Sequence, residues 1–241
     1  RSLSSTPQTC YAYRVYTWWK ETFPQAEFVY CNAGIGGTTS EFGAARVGTD
    51  LLAERPDFVI VEFSVNDEST EHFKETYEGL VRKILGAAWN PAVLLVHNVF
   101  YHNGANAQMM HAAIGRHYDL PSVSMQSSIY PALVASVITY FLEQVRSGIL
   151  TGSNTSFAPG AKLPAPLTKN AYEDSVRIRN AAAPDMAGLQ QPTLDGFTPD
   201  ETAQNEITDC FRYGWTAKKT GDAITFLAEG SCIAVQYRKS V

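Results

Sequence analysis

The first 148 residues predict an α/β fold with a parallel sheet, on three observations. Short strand-like runs at residues 28–31, 58–63, 92–96 and 122–124 alternate with amphipathic stretches of helical length. The run at 58–63 opens Phe-Val-Ile-Val, apolar on both faces, as a buried parallel strand requires. Every connection between runs is long enough for the helical crossover that parallel neighbours need.

Residues 9–23 read as a helix with Tyr11, Val15, Trp18 and Trp19 on its apolar side and Pro24 just past its end. Tyr13 and Tyr16 extend this aromatic set, which reads as core packing rather than a sugar platform. The strand at 28–31 delivers the loop Asn32-Ala33-Gly34-Ile35-Gly36-Gly37-Thr38-Thr39-Ser40. A helix over 41–54, closed by Pro56, leads to the strand at 58–63 and the loop Ser64-Val65-Asn66-Asp67. Helices over 71–87 and 105–118 bracket the strand at 92–96, and a short strand follows at 122–124. Ile129, Leu133, Val137, Phe141 and Val145 then recur at helical spacing, so 129–146 reads as one helix.

Beyond residue 148 the texture changes. Residues 149–200 form a linker and packing segment, with Gly152, Ser153, Asn154, Pro159, Gly160, Pro164 and Pro166 in its first part. Residues 201–241 read as a partial β-sandwich, with antiparallel strands at 223–227 and 232–237 separated by Glu229-Gly230. Two or three strands cannot bury a core alone, so this module either borrows surface from the α/β domain or continues past residue 241.

The chain of 241 residues is 45% hydrophobic and 18% charged, with a net charge of −5, and it has no long Lys/Arg run. These values argue against a nucleic-acid binder and for a neutral or weakly polar substrate. No apolar stretch approaches the ~18 residues of a membrane span. Cys10, Cys31, Cys210 and Cys232 lack metal-ligand spacing and read as buried free thiols of a cytoplasmic protein. Cys210 and Cys232 can still pair if the compartment is oxidising.

The chemistry is expected where strands give way to loops at one edge of the sheet. Gly37, lacking a Cβ, can bring its N–H close to a ligand, and Asn66 carries an amide donor. Two neutral donors converging on one point suit an oxyanion in acyl transfer. Asp67 reads either as a loop-fixing residue or as a substrate contact. His97 and His102 flank a strand end at the same edge and read as partly exposed, hydrogen-bonded histidines that can touch substrate. His111 and His117 read as surface or packing residues, and Trp215 as a residue able to stack on a sugar.

The block Asn32–Ser40 followed by Val61-Glu62-Phe63-Ser64-Val65-Asn66-Asp67 resembles the second and third sequence blocks of the SGNH, or GDSL-type, hydrolases. The likeness covers about residues 9–148. It implies a three-layer, flavodoxin-like parallel sheet and places the family's oxyanion glycine on Gly37 and its asparagine on Asn66. The strands near the C-terminus are similar to the carbohydrate-binding sandwiches appended to some bacterial O-acetylesterases. The resemblance implies a serine esterase that removes O-acetyl groups from xylan- or mannan-type oligosaccharides through an acyl-enzyme, with no metal or organic cofactor. A non-catalytic carbohydrate-binding protein on the same scaffold, and a lipid or thioester acylhydrolase, remain open alternatives.

The family's nucleophilic serine lies in a Gly-Asp-Ser-like turn after a first central strand, and no such turn appears among residues 1–6. Its general base comes from Asp-x-x-His, yet His72, His97, His102, His111 and His117 all lack an Asp three residues upstream. The family's first strand is paired on both sides, so its loss leaves two ladders of backbone groups unsatisfied. The expectation is therefore a longer polypeptide, with further segments before Arg1, near residues 133–137 and after Val241.

Overall fold

Three parallel strands, β1 (Phe58–Val61), β2 (Ala92–His97) and β3 (Ser122–Ser124), run side by side in that order in the computed structural model. The structure describes residues 10–100, 102–126, 131–152, 162–181, 186, 189–202, 211–231 and 233–237. Among the described residues five α-helices flank the sheet: α1 (Tyr11–Thr22), α2 (Ser40–Asp50), α3 (Glu71–Leu85), α4 (Gln108–His117) and α5 (Pro131–Leu150). The expected α/β layering is thus present.

The period-2 alternation of the strands splits the core in two. Val59, Val61, Val93 and Leu95 pack against Ala44 and Val47 of α2, Tyr77, Leu80 and Ile84 of α3, and Ile114 of α4. Leu94, Val96 and Val123 face the opposite way, onto Val15 of α1 and Val134, Ile138 and Leu142 of α5. Each such side chain contributes about 1.5–3 kcal/mol on burial, so the two layers hold the strand ends that carry the loops. The helices begin where local chemistry dictates. Thr70 Oγ1 accepts the Phe73 N–H at 3.4 Å to cap α3, with Glu71 in its first turn and Arg82 and Lys83 in its last.

Tyr11, Trp18 and Trp19 of α1 pack against the second layer, as expected of core aromatics. The helix expected over 129–146 is found as α5, running unbroken from Pro131 to Leu150.

Three expectations are corrected. Residues 28–31 are not a strand, and Val29 is 89% exposed. Strand formation needs a neighbour to take the backbone N–H and C=O groups, and among the described residues β1 pairs only with β2. Of the antiparallel strands expected at 223–227 and 232–237, the first is found in part as β7 (Ala223–Thr225), which pairs antiparallel with β4 (Thr193–Asp195), and the described residues 233–237 form no strand. Ile233, Val235 and Tyr237 are exposed outside any ladder. A second antiparallel pair joins β5 (Thr198–Asp200) to β6 (Gly214–Thr216), so the C-terminal part holds two separate ladders among the described residues. Cys31 is exposed, whereas Cys10 is buried; Cys210 and Cys232 lie outside the described residues.

Residues 162–181 cross α3 as a strap without helix or strand. Glu78, wholly buried, accepts the Tyr118 hydroxyl at 2.6 Å and the N–H groups of Leu167 at 2.6 Å and Thr168 at 2.7 Å, together with the Thr168 hydroxyl. Arg82 Nε donates to Glu173 at 2.6 Å, and Lys83 Nζ donates to the carbonyls of Ala44 and Ser175. Gly79 lets the strap lie directly on α3, since a Cβ there would stand 2.7 Å from the Tyr172 carbonyl carbon.

Candidate oxyanion site at the strand ends

Past β1 the chain turns sharply. The N–H groups of Asn66 and Asp67 both donate to the Phe63 carbonyl, at 3.0 and 2.9 Å, which leaves Asn66 exposed and Asp67 turned inward. Glu62 supports the turn by accepting the Ser64 N–H at 3.0 Å, and burial pushes its carboxyl above the ordinary carboxylate range. The Asn66 side chain makes no hydrogen bond among the described residues. Its amide is available to a ligand.

The neighbouring loop is shaped by its own polar residues. Asn32 Oδ1 accepts the Gly34 N–H at 3.1 Å, and the Thr38 hydroxyl donates to the Ile35 carbonyl at 2.8 Å. Gly37 sits at φ +70°, the left-handed region where a Cβ is disfavoured, and is exposed. α2 begins three residues later.

Asp67 joins the two loops. Its Oδ1 accepts the Ser40 N–H at 2.8 Å, at the first residue of α2, where the helix dipole favours negative charge. Its Oδ2 lies 3.0 Å from His111 Nε2, and both side chains are 0% exposed. The His111 ring stacks on Tyr77 with centroids 3.7 Å apart and planes within 6°. Ser40 Oγ lies 2.6 Å from Thr76 Oγ1 and adds a second link between α2 and α3. Asp67 therefore has the loop-fixing role, and its buried carboxylate presents no surface for a sugar. A bare carboxylate beside Asn66 would repel an oxyanion; here the charge is engaged by a helix N-terminus and an imidazole.

Asn66 opens onto a cavity of about 440 Å³ lined also by Ser64, Val65, Glu68, Phe100 and Asn106. Gly37 is not part of this lining; it lies on the loop that leads into α2, which the Ser40–Asp67 bond ties to the Asn66 loop. Asn106, which the sequence did not single out, has a buried Nδ2 without a partner among the described residues. Ser64 Oγ, 2.9 Å from Glu62 Oε1 and 3.0 Å from the Asn98 carbonyl, is buried and tied down.

His97 corrects an expectation. It is 1% exposed, and neither ring nitrogen has a hydrogen-bond partner among the described residues. It ends β2, the middle strand, which is covered on both faces. Burial, followed by the nearby His111, lowers its pKa to about 4. His102 is exposed beside Phe100, while His117 Nε2 lies 2.7 Å from the Ala165 carbonyl, holding the strap. His111 is a buried positioning residue. Its pairing with Asp67 had no local signal, because 44 residues separate them.

Trp215 lies at the centre of β6 opposite Pro199, half-buried, with its ring 5.5 Å from Phe226 in an edge-on contact. It is no freestanding platform. Among the described residues, no group of His, Cys, Asp or Glu is placed to hold a metal, and no helix is long and apolar enough to cross a membrane.

No family model and no curated protein matches the chain. Among solved structures it is similar to a two-domain esterase (CEX) active on acetylated mannans, and to the same description of esterase co-crystallized with mannopentaose. Both share 56% sequence identity with a TM-score of 0.77 over 92% of this chain. The chain spans 62% of the length of one and 63% of the other. At 56% identity and a TM-score of 0.77, the chain is similar in sequence and fold to that two-domain esterase over the part that it spans.

Proposed function

We propose that the chain supplies the oxyanion-stabilising and substrate-holding half of a serine esterase that removes O-acetyl groups from mannan-type oligosaccharides. The supporting observation is the Asp67 clamp, which ties the Asn66 loop to the first residue of the helix that follows the Gly37 loop, with Gly37 and Asn66 both exposed, in a chain 56% identical to an esterase active on acetylated mannans. The Gly37 N–H and Asn66 Nδ2 donate to the carbonyl oxygen as it gains charge in the tetrahedral intermediate, and being neutral they need no counter-charge. A serine attacks the acetyl carbon and an imidazole takes its proton, as the family resemblance calls for. No residue of this chain is assigned either role.

The test is acetate release from an acetylated mannan oligosaccharide by the complete protein and its Asn66→Ala variant. The variant should lose about 10²–10³ in kcat with little change in KM, since the bond matters chiefly in the transition state. An unchanged kcat would remove Asn66 from the site, and absence of acetate release by the unaltered protein would sink the esterase reading.

A further inference from the structure

The chain that follows β1 and the chain that follows β2 are joined at one residue. Ser64, two residues before Asn66, donates its hydroxyl to the Asn98 carbonyl at 3.0 Å and accepts the Ala107 N–H on its own carbonyl at 2.8 Å. Asn98 and Ala107 are therefore held against the Asn66 loop, and Phe100 lies between them in sequence. The Phe100 N–H donates to the Ala105 carbonyl at 3.0 Å, and its carbonyl accepts the Gly104 N–H at 2.7 Å. The backbone that carries this ring is fixed on both sides.

Phe100 is 43% exposed, and it lines the cavity of about 440 Å³ onto which Asn66 opens. One exposed apolar side chain on a surface is ordinary. A ring on a fixed backbone, in a cavity wall shared with a free amide, has the make-up of a ligand pocket: apolar or aromatic walls with a few placed polar groups. The rest of the wall limits what the ligand can be. Glu68 and Ser69 are exposed in the same lining, so a long acyl chain laid there would have to desolvate a carboxylate. A pyranose suits both kinds of wall. β-Linked mannose has one face of axial C–H bonds that can lie on an aromatic ring, while its hydroxyls reach the polar rim, where a carboxylate accepts them.

We propose that Phe100 is a sugar platform of the site: its ring stacks on the C–H face of the mannose unit that carries the acetyl group and so sets the acetyl carbonyl toward Asn66. Phe100 then determines which substrates are held and takes no part in acyl transfer itself. The proposal rests on the esterase reading for what happens to the acetyl group; the binding of the sugar does not.

The test is acetate release by the complete protein from an acetylated manno-oligosaccharide and from ethyl acetate, which has no ring to stack. Phe100→Ala should lower kcat/KM on the oligosaccharide by roughly tenfold or more, chiefly through KM, as loss of one buried aromatic face predicts. Ethyl acetate should be turned over as before, since a lost binding contact to the sugar leaves the reacting centre unchanged. Phe100→Tyr, which keeps the ring, should retain the oligosaccharide rate, and Phe100→Leu, apolar but without a flat face, should not. An oligosaccharide rate unchanged in Phe100→Ala overturns the proposal. So does an equal loss on both substrates, which would set the ring against the acetyl group or make it a part of the fold. If Phe100→Ala melts lower than the unaltered protein, the Tyr and Leu variants decide: retention with Tyr and loss with Leu supports stacking, and any other pattern overturns it. Where the unaltered protein releases acetate from neither substrate, the esterase reading fails and isothermal titration with unacetylated mannotetraose decides for Phe100. Saturable binding that is lost in Phe100→Ala supports the platform, and absent or unchanged binding overturns it.

Discussion

Replacing Glu78 by Gln should release the strap from α3 while leaving the sheet core intact. The carboxylate receives two donors on each oxygen: Tyr118 hydroxyl and Leu167 N–H on Oε1, and the N–H and hydroxyl of Thr168 on Oε2. Gln has the same shape but one acceptor oxygen. Whichever way the amide turns, either Leu167 or Thr168 presents its N–H to an NH2 group; the Tyr and Thr hydroxyls can rotate to accept, but a backbone N–H cannot. One orphaned donor costs about 1–3 kcal/mol, and the remaining bonds lose their charge assistance. Relief of the buried charge's desolvation offsets part of this. A net loss of about 2–4 kcal/mol follows, against a typical whole-domain stability of about 5–15 kcal/mol. Hydrogen exchange at the Leu167 and Thr168 amides should therefore rise roughly 30- to 1000-fold. Exchange at Leu94 and Val96 in the core should move far less. A rise below about threefold at the two strap amides would refute the reasoning. Burial alone would raise the Glu78 carboxyl, but its hydrogen bonds from Thr168, Tyr118 and Leu167 outweigh that and hold it low. The strap contact is thus fully present above the ordinary pKa of 4.5 and is lost as pH falls through the lower folded value.

His97 predicts a second pH dependence. Unfolded, it binds a proton near 6.5; folded, near 4, so between these values the unfolded state holds more protons and stability falls as pH drops. The loss is about 3 kcal/mol across that window, and urea melts of His97→Phe should lack this part of the slope. Gly37→Ala should destabilise by about 1 kcal/mol, from φ +70° with a Cβ, and should also lower turnover; equal activity would show that the loop accepts a Cβ there and that a glycine is not required for close approach to the substrate. Trp215→Ala should reduce kcat/KM on an acetylated oligosaccharide while sparing a small aryl acetate, if the ring orients sugar. Equal loss on both would show that its contact with Phe226 is structural.

The order of helices and strands was legible in the residues because it rests on local periodicity: β2 was expected at 92–96 and found at Ala92–His97, and the helix expected over 71–87 is Glu71–Leu85. The Gly37 and Asn66 loops were legible for a similar reason, since each follows directly on a predicted strand. What depends on pairing between distant segments was not legible. Residues 28–31 have the composition of a strand but no ladder among the described residues, and 232–237 likewise stays outside the ladder that Thr193–Asp195 supplies to β7. The same distance hid Asp67 and His111. Each lies in an ordinary local setting, and only the packing of α4 and Tyr77 behind the β1 loop turns them into the clamp. Sequence spacing specifies which face a residue takes within its own element. Whether a buried charge finds a partner is decided when the elements meet.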